Sequence, residues 1–141
     1  MKLLTNKVAL ITGGSRGIGA AIVQKFAEQG ANIAFTYRSS ADSANAVAAQ
    51  AGKSGVTVKA YQSDASSFEA SGELVKQVME DVGRIDVLIN NAGITKDNLM
   101  LRMSEEHWDQ VIEVNLKSVF NLTKHISVSY THLTLPTIYS V

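Results

Sequence analysis

The chain has 141 residues, no cysteine, and 13 Lys and Arg balanced by 13 Asp and Glu. Disulfides, thiolate metal sites and cysteine nucleophiles are thereby excluded, and the charge balance gives no pull toward nucleic acid or a membrane surface. No stretch approaches the roughly 18 apolar residues of a membrane span, and the opening MKLLTNK is too short an apolar run for a signal peptide, so a cytoplasmic protein is expected.

An apolar content of 45% suits one α/β domain large enough to bury a core. Val8–Ile11 is wholly apolar, as expected of a strand covered on both faces of a parallel sheet. Thr12-Gly13-Gly14 breaks the run, and a helix follows over Ala20–Gln29, with Ile18, Ile22 and Phe26 at helical spacing and Gly30 after it. Ala31–Tyr37 reads as a second buried strand, Ser40–Gln50 as an Ala-rich helix started by Ser40 or Asp42, and Val56–Tyr61 as a third strand. Ser66-x-x-Glu69 has the form of a capping box for a helix ending at Gly83. Ile85–Asn90 is a fourth strand, and Ser104 opens a helix through Trp108, Val111, Ile112, Leu116 and Phe120. Alternating strands and helices predict a parallel sheet with helices on both faces. Right-handed crossovers give the strand order 3-2-1-4, with a ligand crevice where that order reverses.

Chemistry is concentrated in two turns that face this crevice. The first strand hands over to the first helix through Thr12–Gly19, TGGSRGIG. A reversal from buried strand into helix gathers free N–H groups and the positive end of the helix dipole at one point, which suits a phosphate. Gly13 permits the tight turn, Gly17 close approach of a pyrophosphate, and Gly19 close packing of the helix. No Gly-Lys-Ser/Thr ending is present, which argues against a nucleoside-triphosphate loop. The second turn is Asn90-Asn91-Ala92-Gly93, at the end of the fourth strand.

TGGSRGIG and NNAG in this spacing resemble the short-chain dehydrogenase/reductase family. The stretch from Asn90 to Asn121 is similar to the bacterial branch that reduces 3-oxoacyl-[acyl-carrier-protein] thioesters. The resemblance covers about residues 5–127. It implies a Rossmann-like sheet, cut after the fourth strand and its following helix, and a nicotinamide-dependent oxidoreductase of fatty acid synthesis. It implies that Gly13, Gly14, Ser15, Arg16, Gly17, Ile18 and Gly19 meet the cofactor pyrophosphate. Asp64 and Ala65 are implied at the adenine, and Asn91, Ala92 and Gly93 along the ribose. The alternative for Asp64 is a turn residue that caps the next helix. Asn115 matches the family's catalytic Asn, which perturbs its helix and holds a proton-relay water. An Asn within an apolar-periodic helix is otherwise poorly placed. An acyl carrier protein thioester as substrate and a homotetramer are the implied partners of the full-length parent, with 3-oxoacyl-CoA as the alternative substrate. His107, His125 and His132 show no metal-ligand spacing, so no metal is expected.

An NAD-specific site has an acid at the end of the second strand, to bind the ribose 2′-hydroxyl. Here Tyr37 is followed by Arg38, and Arg16 lies in the Gly-rich turn. Two guanidiniums suit a 2′-phosphate, so NADPH is the expected cofactor; two solvated surface arginines are the alternative.

The family's acid–base pair, Tyr with Lys four residues later, is not among these 141 residues, and Phe120 with Lys124 has the spacing but no phenol. An inactive fragment is the expectation, with a non-catalytic dinucleotide-binding module as the alternative. Composition also shifts near Ser127: residues 128–141, VSYTHLTLPTIYSV, contain no Asp, Glu, Lys or Arg. Val128–Thr137 resembles the translation of a transposon-end sequencing adapter. Residues 1–127 are therefore expected to be a partial NADP-binding domain and 128–141 a non-native tail, with the fourth strand left as an unpaired edge.

Overall fold

A computed structural model describes residues 1–93 and 100–129, together with the backbone of 139–140. Most of the tail, including Tyr130 and His132, lies outside the described residues.

The strands are β1 (Val8–Ile11), β2 (Asn32–Tyr37), β3 (Val58–Gln62), β4 (Val87–Ile89) and β5 (Tyr139–Ser140). They form one sheet in the order β3-β2-β1-β4-β5, parallel throughout. The helices are α1 (Gly17–Glu28), α2 (Ala41–Gly52), α3 (Phe68–Val82), α4 (Glu105–Ile112) and α5 (Ser118–Ser129). A π-helical segment, Glu113–Lys117, joins α4 to α5. The Rossmann-like order 3-2-1-4 is thus present, with one addition. Val87 and Leu88 of β4 pair with Tyr139 and Ser140 of β5, so the expected bare edge at β4 carries a two-residue partner. Helix α5 also crosses residue 127 without a break.

Side-chain alternation on β1 divides the core. Ala9 and Ile11 join Val23, Ala27, Ile33, Phe35 and Ala44 beneath α1 and α2. Leu10 points the other way, to Leu74, Val75, Val78, Leu122 and Ile126 of α3 and α5. A continuous apolar run was expected of a strand buried on both faces, and all four β1 residues are buried.

Two local readings shift. Helix α1 buries Gly19, Val23 and Ala27, whereas Ile18 is 74% exposed, so the buried stripe lies one residue round from the expected one. The cap of α3 is Ser67, whose hydroxyl accepts from the Ala70 N–H (3.1 Å). Ser66, expected as the cap, is instead turned toward Asp64. Trp108, on the helix that Ser104 opens, is 59% exposed and so is not part of the core of this chain. Ser104 does cap α4, accepting from the His107 N–H (3.1 Å).

Candidate nucleotide-binding site

The site is built on the carboxyl ends of β1, β2 and β4. Gly13 has φ +69°, a conformation open to glycine, and there the chain leaves β1. The Gly13 N–H donates to Thr36 Oγ1 (3.1 Å) and the Gly14 N–H to the Thr36 carbonyl (2.9 Å), which seats the turn on the end of β2. A side chain on Gly14 would meet the Phe35 ring at 2.7 Å, and one on Gly19 would lie 1.9 Å from the Gly13 carbonyl oxygen. Those two glycines therefore serve close packing. Nothing lies within 4 Å of the corresponding position at Gly17, which has φ +59° and faces open space.

Thr12 ties the two turns together, a role that the sequence reading did not assign. Its hydroxyl accepts from the N–H groups of Asn91 (3.0 Å) and Ala92 (2.8 Å). The Asn91 amide in turn donates to the carbonyls of Thr12 and Gly13, both at 3.1 Å. The Asn91 and Ala92 N–H groups and the Thr12 and Gly13 carbonyls are thus paired across the two turns.

Between them opens a cleft of about 290 Å³. Of the expected residues, Gly13, Ser15, Arg16, Arg38, Asp64, Ala65, Asn91, Ala92 and Gly93 line it. Arg16 and Arg38, far apart in sequence, border the same space. Gly14, Gly17, Ile18, Gly19 and Asn115 do not line it. Thr36, Tyr37, Ser39, Ser40, Ser63 and Val114 also contribute and were not anticipated. The signal available for Ser39 and Ser40 was their position directly after the second strand.

Two helices open toward this cleft without a side-chain cap: α1 at Arg16 and α2 at Ser40. The first turn of α3 and that of α4, by contrast, are closed by serine hydroxyls. Unclosed N–H groups and a helix dipole attract anions.

Asp64 accepts from the Ser66 hydroxyl (2.6 Å) and the Ser66 N–H (3.0 Å). These bonds, the hydroxyl's first, and the positive charge of Arg38 hold its carboxyl below the ordinary range against a smaller opposing effect of burial. Asp64 is thus both a turn former and a wall of the cleft.

Asn115 sits in the π-helical segment, the helical perturbation expected around it. A side chain on Gly93 would begin 3.0 Å from Asn115 Oδ1, so this Asn stands beside the NNAG turn. Tyr61 is no substitute for a catalytic phenol. Burial, then its 2.8 Å bond to Asp81, push its pKa upward, opposite to what proton donation at neutral pH needs. Among the described residues no three His, Asp or Glu group as a metal site, and no helix is long and apolar enough to cross a membrane.

A phosphate-suited turn, a paired NNAG turn and a parallel sheet in the order 3-2-1-4 define a Rossmann-like fold. Residues 7–131 match the family described as short chain dehydrogenase, and the chain belongs to it. It is 47% identical over 122 residues to 3-oxoacyl-[acyl-carrier-protein] reductase FabG of Staphylococcus epidermidis, covering 86% of this chain and 50% of that protein. It is 43% identical over 117 residues to acetoacetyl-CoA reductase of Paracoccus denitrificans, covering 83% and 46%. The chain therefore spans about half the length of these relatives. Among solved structures it resembles a short chain dehydrogenase from Burkholderia cenocepacia in complex with NADP (TM-score 0.85, 38% identity, 89% of this chain and 51% of that one). It also resembles an NAD+-bound xylitol dehydrogenase (TM-score 0.90, 28% identity, 99% and 54%).

Proposed function

We propose that this chain carries the nucleotide-binding half of an NADPH-dependent reductase of 3-oxoacyl thioesters, the acyl group being presented on an acyl carrier protein. The observation that carries the nucleotide reading is the cleft where Arg16, Arg38 and two uncapped helix N-termini meet. The residues fit the cofactor. Gly17 leaves room at the turn, two guanidiniums complement a 2′-phosphate, and the ionised Asp64 carboxylate accepts from an adenine amine. A volume of about 290 Å³ suits one nucleotide half.

In this reading Gly13, Ser15 and Arg16 hold the phosphates, Arg38 with the start of α2 holds the 2′-phosphate, and Asp64 with Ala65 holds the base. Asn91, Ala92 and Gly93 border the ribose. Asn115, beside Gly93, positions a proton-relay water. NADPH, when bound, supplies the hydride for a β-carbonyl, and the product is a 3-hydroxyacyl thioester. A phenol stabilised by a nearby Lys would protonate the carbonyl oxygen in the full-length parent. No Tyr-x-x-x-Lys occurs in these 141 residues, so this polypeptide binds nucleotide without turnover. Residues 1–127 form the nucleotide-binding part and 128–141 an appended tail.

The substrate rests on the 47% identical relative named for acyl carrier protein. Coenzyme A thioesters are the second reading, favoured by the 43% identical acetoacetyl-CoA reductase. A homotetramer and a cytoplasmic location complete the proposal. Its assembly face is the exposed apolar stripe of Trp108, Ile112, Leu116 and Phe120.

Calorimetric titration of the 141-residue chain with NADPH and NADH tests the cofactor. Tighter binding of NADPH is expected, with the preference lost in Arg38→Glu; equal binding of both cofactors overturns it.

A further inference from the structure

Helix α5 carries an amide where an apolar residue would pack. Asn121 is fully buried within the α3–α5 contact, next in sequence to the core residue Leu122. Its Oδ1 is buried and finds no hydrogen-bond partner among the described residues. Burying an unpaired amide oxygen opposes folding, so stability alone does not account for the residue. Its Nδ2 reaches outward and donates to the Ala65 carbonyl (3.0 Å), in the wall of the cleft. One turn further along α5, His125 Nε2 donates to the Phe68 carbonyl (2.9 Å), and its ring packs on Phe68 with centroids 4.2 Å apart. A side chain on Gly72 would meet that ring at 2.8 Å.

Two side chains of α5 thus grip one carbonyl in the turn before α3 and one at the start of α3, with different consequences. His125 holds helix to helix, away from the cleft. Asn121 holds the turn that presents Asp64 and Ala65. That turn is fastened on its other side by Ser66, whose hydroxyl and N–H both reach Asp64 Oδ1. Because α5 continues directly from the π-helical segment, the same bond also sets the Asn115 segment against the cleft wall.

We infer that Asn121 is a positioning residue for the nucleotide site, fixing the Asp64–Ala65 wall against α5, which continues directly from the segment that bears Asn115. The inference rests on the proposed nucleotide reading.

The test uses the 141-residue chain and the variants Asn121→Leu, Asn121→Ala and His125→Ala. NADPH affinity, thermal midpoint and amide exchange at Ser66 and Ser67 without nucleotide are measured. Asn121→Leu is expected to weaken NADPH about tenfold, the worth of one such bond. Ser66 and Ser67 should exchange faster, with unchanged protection at Leu10 and Ala34 and a midpoint no lower than that of the unsubstituted chain. Asn121→Ala should match it in affinity and exchange. His125→Ala should lower the midpoint and keep the affinity. Unchanged affinity in both Asn121 variants, or affinity falling only in step with the midpoint as in a packing defect, overturns the inference. An unsubstituted chain blind to NADPH overturns the nucleotide reading instead, and unaltered exchange at Ser66 and Ser67 then separately removes the positioning role.

Discussion

Gly17 and Gly19, with Ile18 between them, share one turn and answer to different physics. Gly19 is required by contact, since any side chain would collide with the Gly13 carbonyl at 1.9 Å. Gly17 is required by conformation alone, with φ +59° and open space around it. Gly19→Ala should therefore cost about 3 kcal/mol or more, because backbone cannot yield as a side chain does. Gly17→Ala should cost about 1–2 kcal/mol. Urea unfolding of the two variants measures both, and equal losses would contradict the distinction. Asp64 gives a pH prediction. Its folded-state pKa lies below the unfolded value, chiefly through the Ser66 hydroxyl. The ionised form is thus favoured by folding, and its stabilisation, present above the unfolded pKa, is lost as pH falls through the folded one. Ser66→Ala should let the Asp64 pKa climb toward the ordinary value of about 3.9, read by a side-chain carboxyl NMR titration.

Among the elements, the turn after β1 and the turn after β4 act as one unit because Thr12 belongs to both. Its hydroxyl accepts from the Asn91 and Ala92 N–H groups. Thr12→Val keeps the shape, strands both donors and should cost about 1–3 kcal/mol. Denaturant midpoints with an unchanged slope measure this. The glycines and the apolar runs made both turns legible in sequence, because backbone reversal and burial act locally. Thr12 was not legible as a link, since its partners lie nearly eighty residues away and a Thr at a strand end has many uses. The shift of the α3 cap from Ser66 to Ser67 has a similar cause: adjacent serines compete, and Asp64 takes the first. Ile18 went astray because Gly19, with no side chain to score, occupies the buried position of α1. Ser39, Ser40 and Ser63 enter the cleft through strand ends that period alone does not fix within two residues.

At the scale of the molecule, the described residues present the Arg16–Arg38 cleft at the carboxyl ends of the strands and an exposed apolar face elsewhere. Leu116, beside Asn115 in the π-helical segment, is 64% exposed, and Phe120 in the following α5 is 60% exposed. Such a face in water favours association. Leu116→Glu should shift sedimentation toward smaller species, whereas a chain already monomeric at micromolar concentration would speak against assembly through this helix. The sheet order was readable from strand–helix alternation, but the pairing of β5 with β4 was not, since a two-residue strand carries no period. The most direct measurement of the nucleotide reading is amide chemical-shift mapping of the 141-residue chain during NADPH titration. Shifts confined to Gly13, Ser15, Arg16, Arg38, Asp64, Ala65 and Ala92 are predicted. Shifts that leave these amides untouched, or that gather at the groove between β3 and α3 around Lys59, Gln77 and Asp81, would contradict it.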